Sequence, residues 1–127
     1  MRLPLTLLLI ALGGALGAMA RFGLGGLVQG NRMGFPYGTL VVNLLGCLVM
    51  GFLVYWVRMG LAGAEMRFFL GTGILGGFTT FSSFSAETLN LLLDHNPLTM
   101  LLYVAASLFG CLLMVTLGFV TARVLWG

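Results

Sequence analysis

Four long apolar runs, at residues 3–28, 37–57, 67–93 and 98–125, leave this chain of 127 residues few ways to fold. A helix crosses a bilayer with about 20 predominantly apolar residues, and each run meets that length. Inside hydrocarbon no water satisfies backbone N–H and C=O groups, so each run is expected to close its own hydrogen bonds as a helix. The connections, residues 29–36, 58–66 and 94–97, are too short to hold a soluble domain. With 60% of residues hydrophobic and 7% charged, the composition excludes a water-soluble globular protein. The expected fold is an all-α integral membrane protein, a single domain over residues 1–127 with four transmembrane helices.

The first run has a second reading. Arg2, an apolar stretch and Ala18-Met19-Ala20 imitate a signal peptide with its cleavage site. The run is longer than a signal core and carries the glycine pattern of a packed span, which favours a retained helix. Cys47 and Cys111 fall inside spans, where a thiol behaves as a small apolar side chain, so they identify neither a disulfide nor a redox compartment. The net charge of +3 has no basic run with interleaved aromatics behind it, which leaves no case for nucleic acid. Four spans put both termini on one side, with Arg2, Arg58, Arg67 and Arg123, against Arg32 and Arg21 on the other. The positive-inside rule then prefers cytoplasmic termini, on few charges. Four thin helices do not enclose a water-filled path alone, so a homo-oligomer is expected. Gly13, Gly17 and Arg21 share one face, a spacing that admits a close neighbour, either a second copy or another helix of the same chain.

The third run contains the least ordinary stretch, Gly71 to Glu87, GTGILGGFTTFSSFSAE. Gly71, Gly73, Gly76 and Gly77 each weaken a helix by roughly 1 kcal/mol relative to Ala, and the hydroxyls that follow compete for backbone hydrogen bonds. A break near mid-membrane is expected, and irregular backbone at that depth occurs where it lines a cavity or is buried in protein. Unwound carbonyls around Gly76 and Thr79 are oxygen ligands suited to a small hard cation. Thr79 or Thr80 can cap the restarted helix, whose N-terminus favours negative charge. Thr80, Ser82 and Ser83 give that helix a hydroxyl-rich start. Phe78, Phe81 and Phe84, spaced by three, are expected on one side of it. Such a stripe commonly packs a core, but ring edges are electropositive and can also stabilise a partly dehydrated anion.

Other polar residues lie within the spans. Asn43, with Thr39 one turn before it, can bond a neighbouring helix or offer amide donors to an anion, and no nearby acid needs those donors. Tyr103, Ser107 and Cys111 fall at steps of four, a stripe of two hydroxyls and a thiol; singly, each hydroxyl is explained by a bond to the carbonyl four residues back. Arg21 reads as a snorkelling side chain or as part of an anion vestibule. His95, beside Asp94, reads as a solvated turn.

Three motifs carry a resemblance over essentially the whole chain: GGxxGAxxRF at 13–22, GTLxVNxxGC at 38–47 and GxxGGFTTFSSFSxE at 73–87. On these the chain resembles the Fluc (CrcB) family of fluoride channels. The resemblance implies an antiparallel, dual-topology homodimer in a prokaryotic plasma membrane. It also implies two fluoride pores, a structural Na⁺ at the dimer centre, and relief of fluoride toxicity. It places Phe81 and Phe84 in a pore-lining phenylalanine box and makes Asn43 a fluoride donor. Tyr103 and Ser107, with Thr39, extend the pore, and Arg21 and Glu87 fall at vestibule positions beside Thr80, Ser82 and Ser83. The Gly76 and Thr79 carbonyls match the Na⁺ site, two from each subunit. Where relatives continue the polar track with a hydroxyl, this chain has Cys111, a poorer donor. The arginine asymmetry also leans toward one orientation, which a dual-topology protein should lack.

The expected activity is passive, fluoride-selective conduction, not catalysis, with fluoride, lipid and a second copy as the only partners; no nucleophile–base pair or phosphate loop is present. Two rivals are a small multidrug-type proton-coupled exporter and a non-transporting membrane scaffold. The exporter class uses a carboxylate in the first span, where this chain has none; Glu87, in the third, is the only candidate.

Overall fold

Residues 2–127 are described by a computed structural model in which every regular element is helical. The order is α1 (Leu3–Gln29), α2 (Tyr37–Arg58), the short α3 (Ala64–Met66), a π-helical stretch Arg67–Leu75, α4 (Gly76–Phe78), α5 (Phe81–Leu93) and α6 (Pro97–Trp126). Three of these, α1, α2 and α6, are long and apolar enough to cross a membrane. Proline opens α1 and α6 within their first two positions, where its missing N–H costs nothing. The α5–α6 turn is closed by His95 in the left-handed region (φ 57°), with the Asn96 N–H reaching the Leu91 carbonyl at 2.9 Å, a Schellman-type cap.

The outer faces are apolar: Leu7, Leu12 and Leu16 of α1 and Leu101, Leu108 and Leu112 of α6 are all at least half exposed. A chain in water would not leave that much aliphatic surface uncovered; this is a multi-pass membrane protein. Glycines are prominent among the residues that the helices bury against one another. Gly13 and Gly17 of α1 pack directly on the backbone of the third segment at Gly73 and Ile74, so the small-residue face of α1 is used within the chain. That contact settles the choice left open by the Gly13–Gly17 spacing, and the face carries no argument for an oligomer.

Close approaches also fix helix direction. Gly25 faces Gly38 and Val42, and Gln29 faces Gly38, so α1 and α2 are antiparallel. Gly13 meets Gly73 and Gly17 meets Phe78, so the third segment runs parallel to α1. Leu44 meets Gly110 and Gly51 meets Gly118, so α6 runs parallel to α2, and their far ends meet where Trp56 and Trp126 pack edge to face at 5.3 Å. Successive segments therefore alternate in direction.

Two local expectations need correction. The helix does not fail at the glycines: Gly71 and Gly73 lie in the π-helical stretch, and Gly76 and Gly77 are helical in α4. The chain becomes extended only at Thr79 (φ −81°, ψ 155°) and Thr80 (φ −149°, ψ 115°). Gly73 and Gly77 are instead where backbone meets backbone on α1, a packing demand that outweighs their weak helix propensity. Phe78 consequently ends the segment before the break and does not share a helix with Phe81 and Phe84.

Candidate functional site

The break at Thr79–Thr80 is held from α2. Thr80 donates its N–H to Asn43 Oδ1 at 2.8 Å, and Asn43 Nδ2 donates to the Thr80 carbonyl at 3.1 Å. One amide thus satisfies both backbone groups that an extended residue inside a helical bundle would leave unpaired. Its second Nδ2–H is not used in that pair. Thr80 Oγ1 in turn accepts from the Ser83 N–H at 3.1 Å and caps α5, while the Thr79 hydroxyl donates back to the Leu75 carbonyl at 2.8 Å. Thr79 also fits only because residue 46 is glycine: a Cβ there would collide with its methyl group. Because the Thr80 N–H is committed to Asn43, the Gly76 carbonyl one turn back loses its helical donor. The Thr79 carbonyl loses its own in the same way, since the Ser83 N–H is taken by the cap.

Two cavities meet at Thr80. The wider, about 730 Å³, is lined by Arg21, Thr39, Ser82, Ser83 and Glu87 as well as by Thr80. The narrower, about 350 Å³, has no charged residue in its wall and is lined by Asn43, Phe81, Phe84, Ser107 and the two cysteines among others. Phe84 packs between Phe81 (5.4 Å between ring centroids) and Tyr103 (5.3 Å). Phe81 itself is 80% exposed, facing out of the chain.

Ser107 carries the one buried side-chain polar atom without a hydrogen-bond partner among the described residues. Thr79, Ser85, Thr88 and Thr116 all donate to the carbonyl four residues back, the usual way a helix hides a hydroxyl in hydrocarbon. Ser107 does not; its Oγ is buried and has no protein partner, while the residue forms part of the wall of the narrow cavity. Tyr103, one turn earlier, is fully buried and donates to Glu87 Oε2 at 2.6 Å. Thr39 donates to Glu87 Oε1 at 2.6 Å, so the carboxylate ties α2, α5 and α6 together.

The family model described as CrcB-like protein, Camphor Resistance (CrcB), matches residues 8–119. The chain belongs to the CrcB family. Among its relatives, a protein of Thermus thermophilus is 50% identical over 113 residues, spanning 88% of this chain and 90% of its own length. One of Opitutus terrae is 52% identical over 120 residues, with 91% and 90% covered. One of Methanococcus maripaludis is 42% identical over 120 residues, with 94% and 98% covered. All three are named fluoride-specific ion channel FluC.

In this CrcB chain the residues singled out in the sequence divide between the two cavities. Arg21, Glu87, Thr80, Ser82 and Ser83 line the wide one together; Asn43, Phe81, Phe84 and Ser107 line the narrow one. Thr39 sits with the first group, and Tyr103 lines neither, enclosed by the rings of Phe84 and Phe35. Sequence reasoning missed Gln29. Its Nε2 donates to the Arg32 and Phe35 carbonyls at 2.6 and 3.2 Å, and its Oε1 accepts from the Gly38 N–H at 3.0 Å, folding the α1–α2 loop over the wide cavity. A glutamine just before Gly30 was the available signal, but two of its three partners, Phe35 and Gly38, lie beyond the Gln29–Arg32 turn.

Proposed function

We propose that this protein is a fluoride-selective ion channel that passes the anion down its gradient and so relieves fluoride toxicity. The observation that carries the reading is the buried, unpartnered hydroxyl of Ser107, a residue in the wall of a cavity that has no fixed charge. A buried donor without an acceptor costs about 1–3 kcal/mol, a deficit that an anion arriving in the cavity removes. Asn43, Phe81 and Phe84 line the same space with an amide and two rings whose edges are electropositive, and the relatives' name supplies the anion. Fluoride would enter the wide cavity beside Arg21, pass Thr80, and exchange water for these neutral donors. Neutral donors can replace hydration without the tight hold of a buried cation, which conduction requires. The work is conduction, not catalysis.

One copy does not enclose this path, since Phe81 faces outward. A second copy in the opposite orientation would cover it, giving an antiparallel, dual-topology homodimer with two pores. In that reading the third segment is the fourth crossing, broken near the bilayer midplane, and residues 1–127 form one four-helix domain. The Gly76 and Thr79 carbonyls, freed of helical donors at the break, suit a hard cation by their oxygen chemistry. Two per chain are fewer than such an ion takes, so a Na⁺ there would need both subunits and would serve to lock the breaks together. A prokaryotic plasma membrane is the proposed setting.

The test is Ser107→Ala in protein reconstituted into liposomes. Removing the hydroxyl relieves an unsatisfied group, so the variant is expected to be at least as stable as the parent while its fluoride efflux falls. Undiminished efflux would remove Ser107 from the pore.

A further inference from the structure

The seam between α2 and α6 is closed at one place by Leu44 against Gly110 and at another by Gly51 against Gly118. Between these contacts it opens on the narrow cavity, and three sulfur-bearing side chains face that space: Cys47 and Met50 from α2 and Cys111 from α6. Cys47 and Met50, three residues apart, share a helix face. Cys47 and Cys111 line this cavity from facing helices, neither is in a disulfide, and all three residues are half-buried.

The donor set selects its ligand. No cluster of three or more His, Cys, Asp or Glu side chains forms among the described residues, so no carboxylate or imidazole joins the pair. Zinc takes four ligands of sulfur, nitrogen or carboxylate oxygen, and Mg²⁺ or Ca²⁺ takes oxygens; neither is served here. Thiolate with thioether selects a soft ion of the Cu⁺ kind. We propose that Cys47, Met50 and Cys111 form a binding site for a soft monovalent cation, Cu⁺ or Ag⁺, and that filling it closes the narrow cavity to anions. On binding, the two S–H bonds break, two thiolate–metal bonds and one thioether–metal bond form, and both protons leave to water with no change of oxidation state. Two thiolates around a monovalent ion leave the site net negative, so the occupied cavity both loses volume and repels an anion. The site lies beside Asn43, Phe84 and Ser107. Binding stands independently of the channel reading, whereas closure rests on it.

Silver ion in chloride-free buffer is the probe. Calorimetry on the purified full-length protein is expected to show one Ag⁺ taken up per chain, with both thiols shielded from alkylation by N-ethylmaleimide. Uptake should be lost in Cys47→Ser and in Cys111→Ser and weakened in Met50→Leu. In liposomes Ag⁺ should arrest fluoride efflux of the parent, while the doubly Ser-substituted variant keeps its own silver-free rate. Alkylation unslowed by Ag⁺ in the parent protein, a result that needs no variant to fold, would overturn the site. So would equal uptake by the parent and the double variant. Silver bound at the thiols with parental efflux unchanged would overturn the closure. A protein that binds Ag⁺ at the thiols but passes no fluoride even without it would leave the site standing and sink the channel.

Discussion

Asn43 of α2 and Thr80 of the extended break hold each other by two reciprocal hydrogen bonds of 2.8 and 3.1 Å, and the interruption of the third segment depends on that pair. Asn43→Ala strands both the N–H and the carbonyl of the buried Thr80, at about 1–3 kcal/mol for each group left unsatisfied. The expected result is a clear fall in thermal stability in detergent. Asn43→Asp keeps an acceptor for the Thr80 N–H but removes the donor, so it should unfold at a higher temperature than the Ala variant while passing less fluoride than the parent. Equal stability of Asn43→Ala and the parent would show that the break does not need the amide.

Gly17 and Gly14 make a matched pair for the α1 contact. A Cβ at Gly17 would strike the Ile74 carbonyl, whereas nothing lies within 4 Å of one at Gly14. Gly17→Ala should destabilise by about 1–3 kcal/mol through overpacking. Gly14→Ala should be neutral or gain up to roughly 1 kcal/mol of helix propensity. Yield of monodisperse protein and thermal unfolding read the difference; identical behaviour would contradict the packing.

Glu87 accepts from Thr39 and Tyr103 at 2.6 Å each. Tyr103→Phe keeps the ring against Phe84 and Phe35 and deletes only the hydroxyl, so it isolates one hydrogen bond to a charged group, about 1.5–3 kcal/mol. Paired with Glu87→Gln in a double-mutant cycle, the two losses should be clearly less than additive. Additive losses would mean the contact carries no energy of its own.

Phe81 and Phe84 should separate conduction from packing. Phe81 is 80% exposed, so Phe81→Ile should cost the isolated chain little stability, while Phe84, between two rings, should cost more when truncated to Ala. Fluoride efflux is expected to fall in both. A folded Phe81→Ile protein with parental efflux would remove the ring from the pore.

The helices were readable because hydropathy changes where they end: α1 stops at Gln29 and α2 at Arg58, each one residue past the apolar run. The break was readable only as a weakness. Propensity spread it over Gly71, Gly73, Gly76, Gly77 and the hydroxyls after them, with Thr79 or Thr80 as the cap of the restarted helix; it falls at Thr79–Thr80, with Thr80 as the cap, where Asn43, 37 residues away, supplies what the extended backbone needs. Local sequence carries no trace of that partner. Nor could spacing tell that Gly13 and Gly17 meet Gly73 and Ile74 rather than another copy, since a small-residue face fits either. For the site, residue types were legible and their grouping was not. Ser107 looked like any back-bonded hydroxyl, and only its missing partner sets it apart.

The central claim is best tested on liposomes holding the purified protein, loaded with fluoride and chloride, with efflux read by selective electrodes under a K⁺ gradient. The account predicts fast fluoride release that requires valinomycin to balance charge, and no chloride release. Fluoride retained inside while a quaternary cation exchanges for protons would contradict it and favour an exporter.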